Sequence, residues 1–297
     1  MISHVFTPPL KCQGIKTKLV GPIAHLAANI DTWVEPFCGS CVVPLNVRPK
    51  KAILCDTNEH IIRLYSDVQY GTVTPASVRQ FLTESGERLR KEGEGCYYEF
   101  RERFNAQPDS HTFLFLNRSC FNGVMRFNRR GKFNVPFCRK PDRFSQAYIT
   151  KIANQIRSIG TVIASLDWQF RAQDFRETLR DLDTTSLVYA DPPYLGRHVD
   201  YFNTWTEQDE TDLAACLKAL SCRFILSTWH SNEFRDNLFI RLWSEPRFHI
   251  VTREHFYHVG STEDLRHPMI EALITNYPPA SEKQEESVSV AEQMSFL

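Results

Sequence analysis

The sequence predicts an α/β chain: a mostly parallel sheet with an antiparallel edge, interrupted by a mainly helical insert. Three observations carry this expectation. Short apolar runs that read as buried strands alternate with stretches of helical periodicity. One run, Ser186-Leu187-Val188-Tyr189-Ala190, stops at Asp191-Pro192-Pro193-Tyr194, where the prolines cannot continue a ladder and the chain must turn. Near the end, residues 248–257 and 269–277 read as an antiparallel pair at a sheet edge. With 297 residues, 42% of them hydrophobic, the chain is long enough for one large domain, or one domain with an insertion.

In order, residues 10–18 form a loop carrying Lys11, Cys12 and Lys16, and Leu19, Ile23, Leu26, Ala27 and Ile30 then recur at helical spacing. The stretch Thr32-Trp33-Val34-Glu35-Pro36-Phe37-Cys38-Gly39-Ser40-Cys41-Val42-Val43 reads as strand, tight loop and helix start. That geometry turns backbone N–H groups toward a ligand. A second strand over Lys51–Cys55 ends at Asp56, where an acid is placed to accept from ribose hydroxyls. Asn58 caps the helix through Ile61, Ile62, Leu64 and Tyr65. This is a nucleoside-binding half, although G-x-G-x-x-G is absent.

From about Asp67 to Asn105 the chain is charged and helical, with Thr74-Pro75 as a helix opening. Residues 112–139 interleave aromatics, asparagines and arginines, among them Arg118, Asn122, Arg126, Asn128, Arg129, Arg130 and Lys132. Asn and Arg suit bidentate contact with adenine and guanine edges, and Arg and Lys neutralise phosphates. Arg129-Arg130-Gly131-Lys132 reads as a hairpin turn. After a helix from Ser145 to Ile159, Asp174-Phe175 precedes another. That pair either caps a purine or serves as N-cap and core aromatic. Asp191 and Tyr194 fall at the carboxyl end of a strand, where open α/β sheets bind ligands. Thr206 with Asp209 opens the next helix, and a strand over Arg223–Trp229 follows.

Charge and composition narrow the classes. Net charge is zero, yet between Arg118 and Arg143 basic residues face a single acid, Asp142; such a stripe can hold a polyanion locally. No run of 18 apolar residues exists, so no membrane span is expected. Nine scattered cysteines fit reduced thiols in a cytoplasmic protein, with no metal site. Residues 281–297 form a polar tail, expected to be disordered. Its end, Gln293 to Leu297, is similar to peptides that dock on bacterial sliding clamps.

Together these residues resemble the Dam-like adenine-specific DNA methyltransferases. LKCQGIK resembles the family's LKWxGGK, EPFCGSC its EPFxGxG, CDTN its ribose-binding D-x-N, and FLFLNRSCFNGVMRFN…GKFNVPF its target-recognition block. DPPY is similar to its catalytic loop and MIEALITNY to its closing strand. The resemblance runs from about Leu10 to Tyr277. It departs at Cys12, where the family has Trp or Tyr, and at Ile15 and Cys41, which replace glycines.

The resemblance implies a Rossmann-like methyltransferase sheet over residues 1–66 and 146–280, with a target-recognition insert over 67–145. It implies S-adenosylmethionine as cofactor, double-stranded DNA as partner, a monomer, and a nucleoid-associated location. Cofactor contacts are expected from Cys12, Lys16, Glu35, Pro36, Phe37, Gly39, Asp56, Asp174, Phe175 and Asp191. Chemistry is expected from Asp191, Pro192, Pro193 and Tyr194. DNA contacts are expected from the seven block residues named above and from Ser261 and Arg266. The implied target is an adenine in GATC, or in a longer site containing GAT, in a restriction-modification, phage or epigenetic setting. Alternatives are an RNA adenine or cytosine-amine methylase, a nicotinamide-dependent oxidoreductase, and a catalytically dead DNA-binding protein.

Overall fold

The structure, a computed structural model, describes residues 4–195, 205–232, 236–256 and 268–279. After α1 (Val20–Leu26) come β1 (Thr32–Glu35), α2 (Val42–Val47), β2 (Lys51–Asp56) and α3 (Glu59–Gln69). Three helices follow, α4 (Pro75–Glu92), α5 (Glu94–Ala106) and α6 (Ser110–Ser119), and then a loop region to residue 144. The chain returns to the sheet with α7 (Gln146–Ala164), β3 (Asp167–Ala172), α8 (Phe175–Thr178) and β4 (Ser186–Ala190). It closes with α9 (Glu207–Ala219), β5 (Arg223–Asn232), β6 (His249–Phe256) and β7 (Pro268–Thr275).

The seven strands lie in one sheet of order β3-β2-β1-β4-β5-β7-β6. The first five are parallel, and β7 runs antiparallel between β5 and β6. This is the expected α/β class with its antiparallel edge. β4 is buried along its whole length, as its unbroken apolar run requires of a strand covered on both faces. Alternate residues of the central strands divide between two cores. Trp33, Leu187 and Tyr189 face one, and Val34, Val188 and Ala190 the other. The first core is continuous with Phe100, Phe104, Phe113 and Phe115 of the helices inserted after α3.

Helix starts follow the local chemistry. Asn58 accepts from the His60 N–H at 3.1 Å, and Thr74 with Ser77 and Thr206 with Asp209 form reciprocal capping boxes. Helix α7 continues to Ala164, five residues beyond the expected end, because Ile163 joins its buried face. Among the described residues no helix is long and apolar enough to cross a membrane.

The strand order reverses between β1 and β4. That switch point opens a crevice at their carboxyl ends, and Glu35 and Asp191 stand there.

Candidate active site

Pro192-Pro193 ends β4 and leaves Asp191 at the mouth of the crevice. Asp191 Oδ1 lies 2.9 Å from Lys16 Nζ, and both side chains are largely shielded from water. The same ammonium donates to the Gly14 carbonyl at 3.0 Å and lies 4.8 Å from the centre of the Tyr194 ring. Burial pushes the Asp191 carboxyl up from 3.8 to about 6, with Lys16 pulling the other way. Tyr194 donates its hydroxyl to Glu271 Oε1 at 3.2 Å. Glu271 lies on β7 and is almost fully buried, so the antiparallel edge fixes the aromatic ring of the DPPY turn.

Beside this pair lies a cavity of about 330 Å³, within the usual range of small-ligand sites. Cys12, Lys16, Glu35, Phe37, Gly39, Asp56, Asp174, Phe175 and Asp191 all line it. Nine of the ten residues expected to hold the cofactor are thereby brought together. The tenth, Pro36, follows β1 without lining the cavity. Asp56 accepts from the Gly39 N–H at 2.9 Å and from the Asn58 N–H at 2.8 Å. Glu35 accepts from Trp33 Nε1 at 2.8 Å. Burial raises both carboxyls above their ordinary range. Such acids gain from a ligand that brings hydroxyl or ammonium donors.

The aromatic end of the cavity has three walls. Phe37, Phe175 and Trp205 are mutually in contact, with centroid separations of 5.5 to 5.6 Å. Asp174 and Phe175 take the N-cap and core-aromatic places, one of the two readings left open by the sequence. Asp174 caps α8 by accepting from the Arg176 N–H at 2.8 Å, Phe175 is buried, and both border the cavity.

The departures from the family's motifs have local consequences. Cys12 and Ile15 line the cavity in place of a ring and a glycine, and burial raises the Cys12 thiol. Cys41 sits at φ 54° as the N-cap of α2. Glycine adopts that conformation without strain, and another residue at a cost of about 1–2 kcal/mol.

The basic block divides into scaffold and surface. Arg118 does not reach the surface. It is buried, its Nη1 donates to the Pro9 carbonyl at 2.8 Å, and its guanidinium lies over Tyr148. This corrects its expected place among the DNA contacts, because an arginine at the end of α6 gains more from capping a buried carbonyl than local charge pattern reveals. Asn128 builds the hairpin tip, its Oδ1 accepting from the Arg130 and Lys132 N–H groups at 2.9 and 3.1 Å. Around that tip Arg129, Arg130 and Lys132 are exposed, as is Asn122. Arg126 is half-buried, and its Nε donates to Asn134 Oδ1 at 2.8 Å, which orients its guanidinium. Ser261, Arg266 and the Gln293–Leu297 peptide lie outside the described residues.

Trp205, Glu271 and Met125 also belong to this site and are not among the residues expected from the sequence. Trp205 carries one legible signal: it directly precedes the Thr206 capping box, and its Nε1 donates to Glu210 Oε2 at 2.7 Å. Glu271 stands out only as an acid in an apolar strand. Met125 neighbours Arg126 and lines the cavity.

Comparison with known proteins agrees with this geometry. Residues 13–259 match the family described as D12 class N6 adenine-specific DNA methyltransferase. The DNA adenine methylase of Escherichia coli strain K12 is 30% identical over 259 residues, covering 82% of this chain and 86% of that protein. The modification methylase StsI of Streptococcus sanguinis is 29% identical over 283 residues. The type II methyltransferase M.FokI of Planomicrobium okeanokoites is 30% identical over 282 residues. For each of these two, 91% of this chain is covered but only 42% of the relative, so the chain spans less than half of their length. The acid-ended strands at the switch point, the DPPY turn and the matched family concur: this chain belongs to the D12 class N6 adenine-specific DNA methyltransferases.

Proposed function

We propose that the chain methylates the exocyclic amine of an adenine flipped out of a short duplex DNA site, with S-adenosylmethionine as methyl donor. The observation that carries this is the placement of Asp191. Its carboxylate sits at the switch point, paired with Lys16 at 2.9 Å, on the rim of a cavity lined by buried acids and aromatic rings. That lining fits the cofactor: Asp56 for the ribose hydroxyls, Phe37, Phe175 and Trp205 for the purine, and Glu35 for the methionine-side ammonium. When bound, S-adenosylmethionine supplies an electrophilic methyl group on sulfonium.

The residues of the chain act on the amine. An adenine amine is a poor nucleophile because its lone pair is delocalised into the ring. Asp191 and the Pro192 carbonyl each accept one of its N–H bonds, drawing the nitrogen toward a tetrahedral form with its lone pair available. The two prolines hold that carbonyl at low entropic cost, which is preorganisation for the transition state. Tyr194, anchored by Glu271, stacks on the extruded base. Arg126 reads a guanine beside the target, and Arg129, Arg130 and Lys132 contact phosphates. Residues 67–145 act as the target-recognition insert, and residues 1–66 with 146–280 as the catalytic domain.

The proposed site is GATC or a longer sequence containing GAT, used in restriction-modification or epigenetic marking. Treating unmethylated plasmid with the protein and S-adenosylmethionine, then sequencing the modified positions, tests this. Methylated adenines confined to such sites support it. Modification at unrelated sequences overturns the site, and modified cytosine overturns the substrate.

A further inference from the structure

The geometry points to Asn117 as a positioning residue that ties recognition of the DNA target to the placement of Asp191, through the strap of residues 9–16. This rests on the proposed methyl transfer to DNA.

Asn117 lies near the end of α6 and is fully buried. Its amide forms a reciprocal pair with one residue of the strap. Oδ1 accepts from the Lys11 N–H at 2.9 Å, and Nδ2 donates to the Lys11 carbonyl at 2.9 Å. Nδ2 also reaches the Gly123 carbonyl at 3.4 Å. An asparagine amide offers two donors and one acceptor oxygen. Here they serve two segments at once, the strap on one side and the Phe121–Gly123 turn of the basic block on the other.

Two further contacts tighten the same junction. Arg118, the next residue, donates to the Pro9 carbonyl at 2.8 Å. Gly123, at φ +69°, approaches the Lys11 side chain so closely that an added Cβ would fall within 2.4 Å of Lys11 Cδ. Only glycine meets both the backbone conformation and the contact. Three residues beyond Gly123 stands Arg126, and five residues beyond Lys11 stands Lys16.

Lys16 is the far anchor of the strap. It touches Asp191 at 2.9 Å and the Gly14 carbonyl at 3.0 Å. The strap is thus clamped to the basic block at one end and to the acid of the DPPY turn at the other. Both anchors of this short segment are largely buried polar contacts, and the low local dielectric makes it costly to break either one. A shift of the 120–126 turn on meeting the correct bases therefore moves Lys11, and with it the cation that orients Asp191.

Spatial connection alone does not establish coupling, so the test measures it. Single-turnover methylation is followed on the duplex identified by plasmid sequencing, and on the same duplex with one base pair changed. Asn117→Asp keeps the acceptor but places a carboxylate oxygen against two carbonyls. It is expected to reduce discrimination between the duplexes roughly tenfold, while affinity for S-adenosylhomocysteine stays within about threefold. In a double-mutant cycle with Arg126→Ala, the two losses should be less than additive. Unchanged discrimination in the folded variant overturns the inference. So does a parallel fall in discrimination, S-adenosylhomocysteine affinity and melting temperature, which marks a purely structural role. If Asn117→Asp does not fold, hydrogen exchange at the Lys11 amide of the wild-type protein replaces it. Slower exchange with the correct duplex than with the altered one supports the inference, and equal exchange overturns it. A wild-type protein that methylates no DNA would instead sink the proposed function.

Discussion

Lowering the pH from 8 to 5 should weaken methyl transfer and strengthen the fold, both through Asp191. Its carboxyl is pushed up from 3.8 to about 6 by burial, with Lys16 opposing the shift. A folded value above the unfolded one means that the native state binds the proton more tightly. The associated stability is fully present below pH 3.8 and is lost as pH rises through 6. The full difference corresponds to roughly 3 kcal/mol, of which about 1 kcal/mol falls between pH 8 and pH 5. Urea unfolding without cofactor at those two pH values, on wild type and Asp191→Asn, measures this part together with its coupling to Glu35. Glu35 and Asp56 are shifted in the same direction and remain in both proteins, with the Asp191 charge adding to the rise of Glu35 in the wild type alone. The wild type should gain about 1 kcal/mol more than the variant on going to pH 5. Over the same range kcat/KM should fall about tenfold, because that ratio reports groups of the unbound enzyme. Equal gains in the two proteins would refute the account of Asp191 as a buried acid held ionised at neutral pH.

Other consequences follow from the same geometry. Arg126→Ala should relax selectivity at one base pair by about 1–3 kcal/mol in competition assays on single-base variants; uniform weakening on every sequence would make it a phosphate contact. Arg130→Ala should lower the salt dependence of DNA binding by about one counterion. Arg118→Ala should leave that slope unchanged and cost about 2 kcal/mol in chemical denaturation. Glu271→Gln retains an acceptor for the Tyr194 hydroxyl and should keep most activity, whereas Glu271→Ala should reduce base extrusion, read as lost fluorescence of 2-aminopurine at the target position. Trp205→Ala should weaken S-adenosylhomocysteine binding by about 1 kcal/mol in calorimetry, as one aromatic wall of the cavity is removed.

The parts of the fold that were legible are those set by local chemistry. Apolar runs ending in acids marked β1, β2 and β4, and the capping residues Asn58, Thr74 and Thr206 marked their helices. The edge pair β6 and β7 was legible from its β-rich runs, but β7 lying inside β6 was not, since strand order depends on distant partners. In the site, residues carried by short motifs converged on one cavity. Those that act across long separations were hidden. Glu271 meets Tyr194 across 77 residues, and Asn117 meets Lys11 across 106. Arg118 failed differently: beside exposed Arg129 and Arg130 it reads as the same basic stripe, and only its burial against Pro9 and Tyr148 separates scaffold from surface.

The central claim is that Asp191 prepares an adenine amine for methylation. Duplex DNA should be incubated with methyl-labelled S-adenosylmethionine and either wild-type protein or Asp191→Ala, then digested to nucleosides. Label should appear in N6-methyl-2′-deoxyadenosine with the wild type and not with the variant, while both proteins retain DNA binding. Label in a cytosine derivative, or full labelling of adenine by Asp191→Ala, would contradict it.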